Sequence, residues 1–255
     1  MLITIAVIII VLATFMLIMY NMYSDYQNRR EADSRATMNR ARNIISETEE
    51  LLINQVNIPL SKVTVMVLRY RILNNLKKLK TDPNIKNVDP KIEEQVKLIN
   101  DVKNNFKDEL AFKAPTNDAM AIQQLRAVRK LRKIIHQEMR AGTPVGRSEC
   151  VKEDKRLALL VLKINISNLI QRVYELKRLH QIGTCRQLIE RGLEVIQRSG
   201  VKDDWLNAKN SILTQIQADI EREVKEANKK GAKKAATVNQ EEKEIESLFG
   251  DKKKW

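Results

Sequence analysis

The sequence predicts an all-α protein, in which an N-terminal transmembrane helix continues into a stalk and then a cytoplasmic multi-helix bundle. Three observations carry that prediction. Residues 1–20, MLITIAVIIIVLATFMLIMY, hold no charge, glycine or proline, and about 20 such residues cross the hydrocarbon core of a bilayer as a helix. Further on, apolar residues recur at three- and four-residue steps, the period of one helix face. Aromatic residues make up 4% of the chain, and only seven glycines and five prolines interrupt it. No stretch strings together several β-rich runs at regular short spacing.

The anchor is the first element. Twelve of residues 1–20 are Leu, Ile, Val or Phe, and at roughly −0.3 to −0.6 kcal/mol each their insertion sums to about −4 to −7 kcal/mol. A cleaved signal peptide would want a basic n-region, a shorter apolar run and a small-residue cleavage site; the run is followed instead by Asn21-Met22-Tyr23-Ser24-Asp25. Tyr20, Tyr23 and Tyr26 lie at helical spacing at the exit, where amphipathic rings favour the headgroup level. Arg29, Arg30, Arg35, Arg40 and Arg42 follow the helix, so the positive-inside rule leaves the N-terminus outside and the C-terminal part in the cytoplasm. At 1.5 Å per residue Arg29 lies roughly 14 Å beyond Tyr20 and Arg42 roughly 33 Å beyond. Against a Debye length of about 8 Å these arginines read as a topology signal rather than a lipid site.

Residues 21–57 contain no glycine or proline and are expected as a helical stalk, with Ala41, Ile44, Ile45, Thr48, Leu51, Leu52 and Val56 on one face. Pro59 interrupts it, and residues 58–141 are expected as a first helical subdomain. Ser61 is an N-cap for a helix to about Leu79 striped by Val63, Met66, Val67, Tyr70, Leu73 and Leu76. Thr81 to Val88 reads as a loop. Asp89-Pro90 has the form of a cap followed by proline at the first helical position, with Ile92, Val96, Ile99, Val102 and Phe106 facing inward. After the break at Ala114-Pro115-Thr116-Asn117, a helix covers about Asp118 to Arg140.

Ala141-Gly142-Thr143-Pro144-Val145-Gly146 is the clearest linker and the expected subdomain boundary. Residues 147–230 form the second helical subdomain. Leu157 to Leu162 is apolar all round and belongs in a core; Leu162, Ile164 and Ile166 alternate like a strand, but Leu169, Ile170, Val173, Leu176 and Leu179 restore helical spacing. The long helix runs to His180, which ends it where a cation suits the dipole; Gly183 also fits a helix end, Thr184 with Gln187 a capping box, and Ser199-Gly200 another end. A last strong helix runs from about Asp204 to Lys230, with Trp205, Ala208, Ile212, Ile216, Ile220 and Val224 facing inward. Residues 231–255 read as a charged mobile tail, with helical character around Glu241 to Phe249.

Catalytic signatures are missing. No glycine occurs before Gly142, and the later ones build no phosphate-cradling loop. The only histidines, His136 and His180, form no metal-binding pair, and the first sits among solvated side chains. Cys150 and Cys185 have no metal-ligand spacing and are expected to be reduced and structural on the cytoplasmic side. The expectation is therefore a non-enzymatic protein with no cofactor and no metal.

One feature does point to a ligand. On the helix 118–140, at 100° per residue, Arg126, Arg129, Lys130, Lys133 and Arg140 share one side, and Leu125, Val128, Leu131, Ile135 and Met139 cover the other. This basic ridge is roughly 21 Å long. Having no aromatic residue, it does not suit stacking on single-stranded bases or insertion at a lipid interface. With a net charge of +14, contact with a duplex backbone or docking to an acidic protein face both fit; the alternative is a solvated face balanced by acids from a neighbouring helix.

The segment Ile45–Leu79, with Glu47-Thr48-Glu49, Leu51-Leu52, Leu60-Ser61-Lys62 and Arg71-Ile72-Leu73 placed after an N-terminal anchor, resembles a group of uncharacterised gammaproteobacterial single-pass membrane proteins, some carrying a DNA-repair label. The resemblance implies a bacterial inner membrane and assigns no fold, activity or site residue. The expected function is a membrane-anchored cytoplasmic scaffold or adaptor that binds a protein partner; the alternative is a membrane tether binding nucleic acid through the basic face. The bilayer, contacted by Met1 to Tyr20, is the other expected partner.

Overall fold

The computed structural model describes residues 2–81, 87–108 and 110–249, with side-chain surroundings over 14–81, 87–108 and 110–230. Seven α-helices and no strand are found among them: α1 Leu2–Ile53, α2 Lys62–Lys80, α3 Val88–Asn105, α4 Asp118–Ala141, α5 Arg147–Arg178, α6 Ile182–Ser199 and α7 Asp204–Phe249. The fold is all-α. The ambiguous stretch Leu162–Ile166 lies inside α5.

The expected anchor and stalk residues lie in one helix of 52 residues, about 78 Å long. It stops at Ile53, four residues short of the expected end, and two asparagines do the work a glycine often does. Asn54 and Asn57 take left-handed backbone angles, φ 53° and 52°, which Asn tolerates better than most residues. Asn54 also clamps the turn, its Nδ2 donating to the carbonyl of Ile58 at 2.7 Å and its Oδ1 accepting from the Ile58 amide at 2.8 Å. The Ser61 hydroxyl then accepts from the Thr64 amide at 3.1 Å, the N-cap expected for α2.

Two compact units divide the chain: residues 1–113 with 126–157, and residues 114–125 with 158–255. The division does not fall at the 141–146 linker, which lies inside the first unit. That linker closes a helical hairpin. Gly142, at φ 82°, turns the chain while the Thr143 amide reaches back to the Glu138 carbonyl at 3.1 Å, and Arg132 on α4 grips Asp154 on α5 across the hairpin. In the first unit α1 and α3 both pack along α2, with Ala41, Ile72, Leu76, Leu79 and Val88 at the centre of their contact. In the second unit α6 packs on α7, and Ile166, Ile170 and Val173 of α5 join Cys185, Ile189, Leu206 and Leu213 in the core. Gly192 permits close packing there, since a β-carbon at that position would meet Leu169 Cδ2 at 2.9 Å.

Several local expectations shift. Asp89 is not the cap of α3; Asn87, at φ 67°, precedes the helix, and Asp89 sits in the first turn, 2.6 Å from Lys80. On α3 Val96 is exposed and Gln95 takes the buried position. Gly183 and Thr184 neither end nor cap a helix, because both lie in the first turn of α6. The chain turns at His180 (φ 56°), the other expected end, where the His180 amide bonds to Lys177 O at 3.1 Å and the Gln181 amide to Leu176 O at 3.0 Å. That pair of bonds is a Schellman ending with histidine where glycine is usual. Gly200 (φ 60°) does end α6. The helical backbone of α7 passes through Gly231 and on to Phe249 rather than giving way to a tail at residue 231; one interior glycine costs only about 1 kcal/mol among the Ala, Lys, Glu and Gln that surround it. Residues 250–255, and residues 82–86 of the expected Thr81–Val88 loop, lie outside the described residues.

Candidate functional site

The basic face of α4 belongs wholly to the first unit. Arg126, Arg129, Lys133 and Arg140 are exposed, and none makes an ion pair among the described residues. Lys130 is partly covered and stands 3.5 Å from the Glu47 carboxylate of α1. On the opposite side Val128, Leu131, Ile134 and Ile135 are buried. The acid of this helix, Glu138, is turned inward and holds Arg71 of α2 at 2.8 Å, both side chains only 12% exposed. Arg132, just outside the ridge, forms a bidentate pair with Asp154, 2.7 and 3.1 Å. Hydrogen bonding from Arg132, against the opposing effect of burial, holds the Asp154 carboxyl below its ordinary value. His136 is not simply solvated: its Nε2 lies 3.2 Å from the same carboxylate.

Buried polar chemistry in this unit is concentrated on Glu153, 5% exposed. It accepts from the Thr64 hydroxyl and from Arg156 Nε and Nη2 at 2.9 and 2.7 Å. Arg156 Nη2 also reaches the Pro59 carbonyl at 3.0 Å. Burial pushes the Glu153 carboxyl upward, but the Arg156 and Thr64 hydrogen bonds outweigh it and the net displacement is downward. These groups satisfy one another and act as a clasp between the start of α2 and α5.

Arg69 is different, and nothing in the sequence reading singled it out. At 100° per residue Val65, Leu73 and Leu76 all lie within about 40° of it around α2, so a guanidinium stands in the middle of an apolar stripe. That position could have been found by asking which α2 residue breaks the stripe. Its Nη1 donates to Gln95 Oε1 at 3.3 Å, and its buried Nε has no hydrogen-bond partner among the described residues. Desolvation lowers the pKa, against the fields of Glu49 and Glu94. Arg69 and Leu98 line both lobes of a groove floored by α2 and walled by α1 and α3, with volumes of about 870 and 520 Å³.

Among the described residues no three His, Cys, Asp or Glu side chains gather as metal ligands. Cys150 and Cys185 are both buried, and burial raises both thiols. Comparison with family models, curated proteins and solved structures yields no match.

Proposed function

We propose that this chain is a non-enzymatic, membrane-anchored helical adaptor that holds a protein partner at the cytoplasmic face of a bacterial inner membrane. The observation that carries the reading is the state of α1. From Phe15 to Tyr20 every side chain is more than half exposed, as are Met22, Tyr23 and Tyr26. An apolar surface of that length on a helix needs a cover, and continuity with residues 1–13 makes a bilayer the natural one. The arginines beyond Tyr26 favour the cytoplasm for the remainder. Among the described residues α5 is long and apolar enough to cross a membrane, but its Leu157, Leu160, Ile164, Ile166, Ile170 and Val173 are buried in the protein, which accounts for its composition as core.

The membrane arm is tested by alkaline extraction of membranes and by reporter fusions at the C-terminus. A protein released by carbonate, or a C-terminus reporting from outside, defeats it. In-cell cross-linking followed by purification from solubilised membranes tests the adaptor arm, and recovery of no specific partner defeats that. A second reading, a tether for duplex nucleic acid, is favoured by Arg126, Arg129, Lys133 and Arg140 of the α4 face, which make no ion pair among the described residues.

A further inference from the structure

We infer that the groove between α1 and α3 is the docking site for an amphipathic helix of the partner, whose single carboxylate pairs with Arg69 between apolar anchors. The inference rests on the adaptor reading and names its site. Arginine stays charged in proteins, so a guanidinium in an apolar floor calls for an anion. Glu49 and Glu94 act on it through space, but neither comes within ion-pair distance. Among the described residues only its Nη1 has a hydrogen-bond acceptor, and a carboxylate takes two guanidinium donors at once in a fork geometry that lysine cannot offer.

The shape argues for a helix rather than a small molecule. Each lobe alone has the volume of a small-molecule pocket, but the two meet at Arg69 and Leu98 and continue as one elongated groove. They follow α3 from Val88 to Val102, about 21 Å, which matches a helix of about fourteen residues. Apolar side chains flank Arg69 at both ends: Ile45, Leu76 and Val88 in one lobe, Leu52, Ile58 and Phe106 in the other. An occupant with apolar residues one and two turns either side of a carboxylate would fill both, the spacing by which amphipathic helices read grooves.

The test is selection of a phage-displayed library of helical peptides against the full chain held in lipid nanodiscs. Enriched sequences should carry one Asp or Glu, with apolar residues three, four and seven positions away on both sides. Affinity should fall at least tenfold when that acid is amidated or when Arg69→Leu is made, and the two changes together should cost no more than either alone. Arg69→Leu should raise Tm, since it completes the apolar stripe, so loss of binding is not loss of fold. Leu98→Trp, which fills the groove where the lobes meet, should abolish binding with Arg69 intact. Peptides enriched without an acid, equal binding to Arg69→Leu, or no enrichment at all would each overturn the inference. In-cell cross-linking separates it from the adaptor reading: one partner captured equally by wild type and Arg69→Leu keeps the adaptor and removes the groove, whereas peptide binding with no cellular partner does the reverse.

Discussion

Thr64 on α2 donates its hydroxyl hydrogen to the carboxylate of Glu153 on α5, 89 positions further along the chain. Arg156 supplies two more hydrogen bonds to that carboxylate and one to Pro59 O, so a single buried acid ties the stalk–α2 turn to the α4–α5 hairpin. Removing one member of such a pair leaves the other uncompensated. Glu153→Ala should destabilise the protein by about 3 kcal/mol, and Thr64→Val by about 1 kcal/mol, both read from urea unfolding. A Glu153→Ala variant with an unchanged midpoint would refute the clasp.

The same carboxylate sets an acid limit. The folded pKa values of Glu153, Asp154 and Asp203 are depressed, so the unfolded state takes up protons first as pH falls. Their contribution is fully present above the unfolded values of about 4 and is lost as pH falls through the lower folded values. Stability should be flat from pH 7 to about 5 and then decline. In Glu153→Gln the decline should be shallower, a difference that chemical denaturation at stepped pH would reveal.

Two glycines of α6 should respond with opposite signs. A β-carbon at Gly192 would stand 2.9 Å from Leu169 and 3.1 Å from Leu213, whereas one at Gly183 meets nothing within 4 Å. Overpacking costs about 1–3 kcal/mol, against roughly 1 kcal/mol gained from better helix propensity. Gly192→Ala should therefore lower Tm and be partly rescued by Leu169→Val, while Gly183→Ala should raise it. A stabilising Gly192→Ala would show that the α5–α6 contact is looser than the geometry states.

His180 occupies the left-handed position that ends α5. An L-residue there costs about 1–2 kcal/mol relative to its right-handed form, partly offset by the entropy glycine loses on folding. His180→Gly should stabilise by about 0.5–1 kcal/mol, and His180→Val should destabilise. Thermal unfolding of the pair checks the sign.

If the α4 face engages duplex nucleic acid, binding should weaken steeply with salt, and Arg126→Glu/Lys130→Glu/Lys133→Glu should abolish it and flatten the salt slope. Lys130 should contribute least of the three, because Glu47 already stands beside it. Fluorescence anisotropy with labelled duplex at two salt concentrations decides this; affinity unchanged by the triple substitution removes the tether reading.

What the sequence determined by itself is local. Ser61 as a cap, Gly142 and Gly200 as turns, and the polar and apolar sides of α4 follow from periodicity and backbone preference, which depend on residues within a few positions of one another. Where a local signal had a competitor, such as His180 against Gly183 for the end of α5, the tie was broken by hydrogen bonds that a pattern does not contain. The division of the chain was not local at all: both units take part of α4 and part of α5, because compactness follows long-range packing rather than the position of a flexible linker. The charged residues show the contrast most clearly. Arg126 and Arg69 read alike as helical arginines, yet one is exposed and the other stands among apolar residues, and only the helices packed around each decide which donors are left to bind.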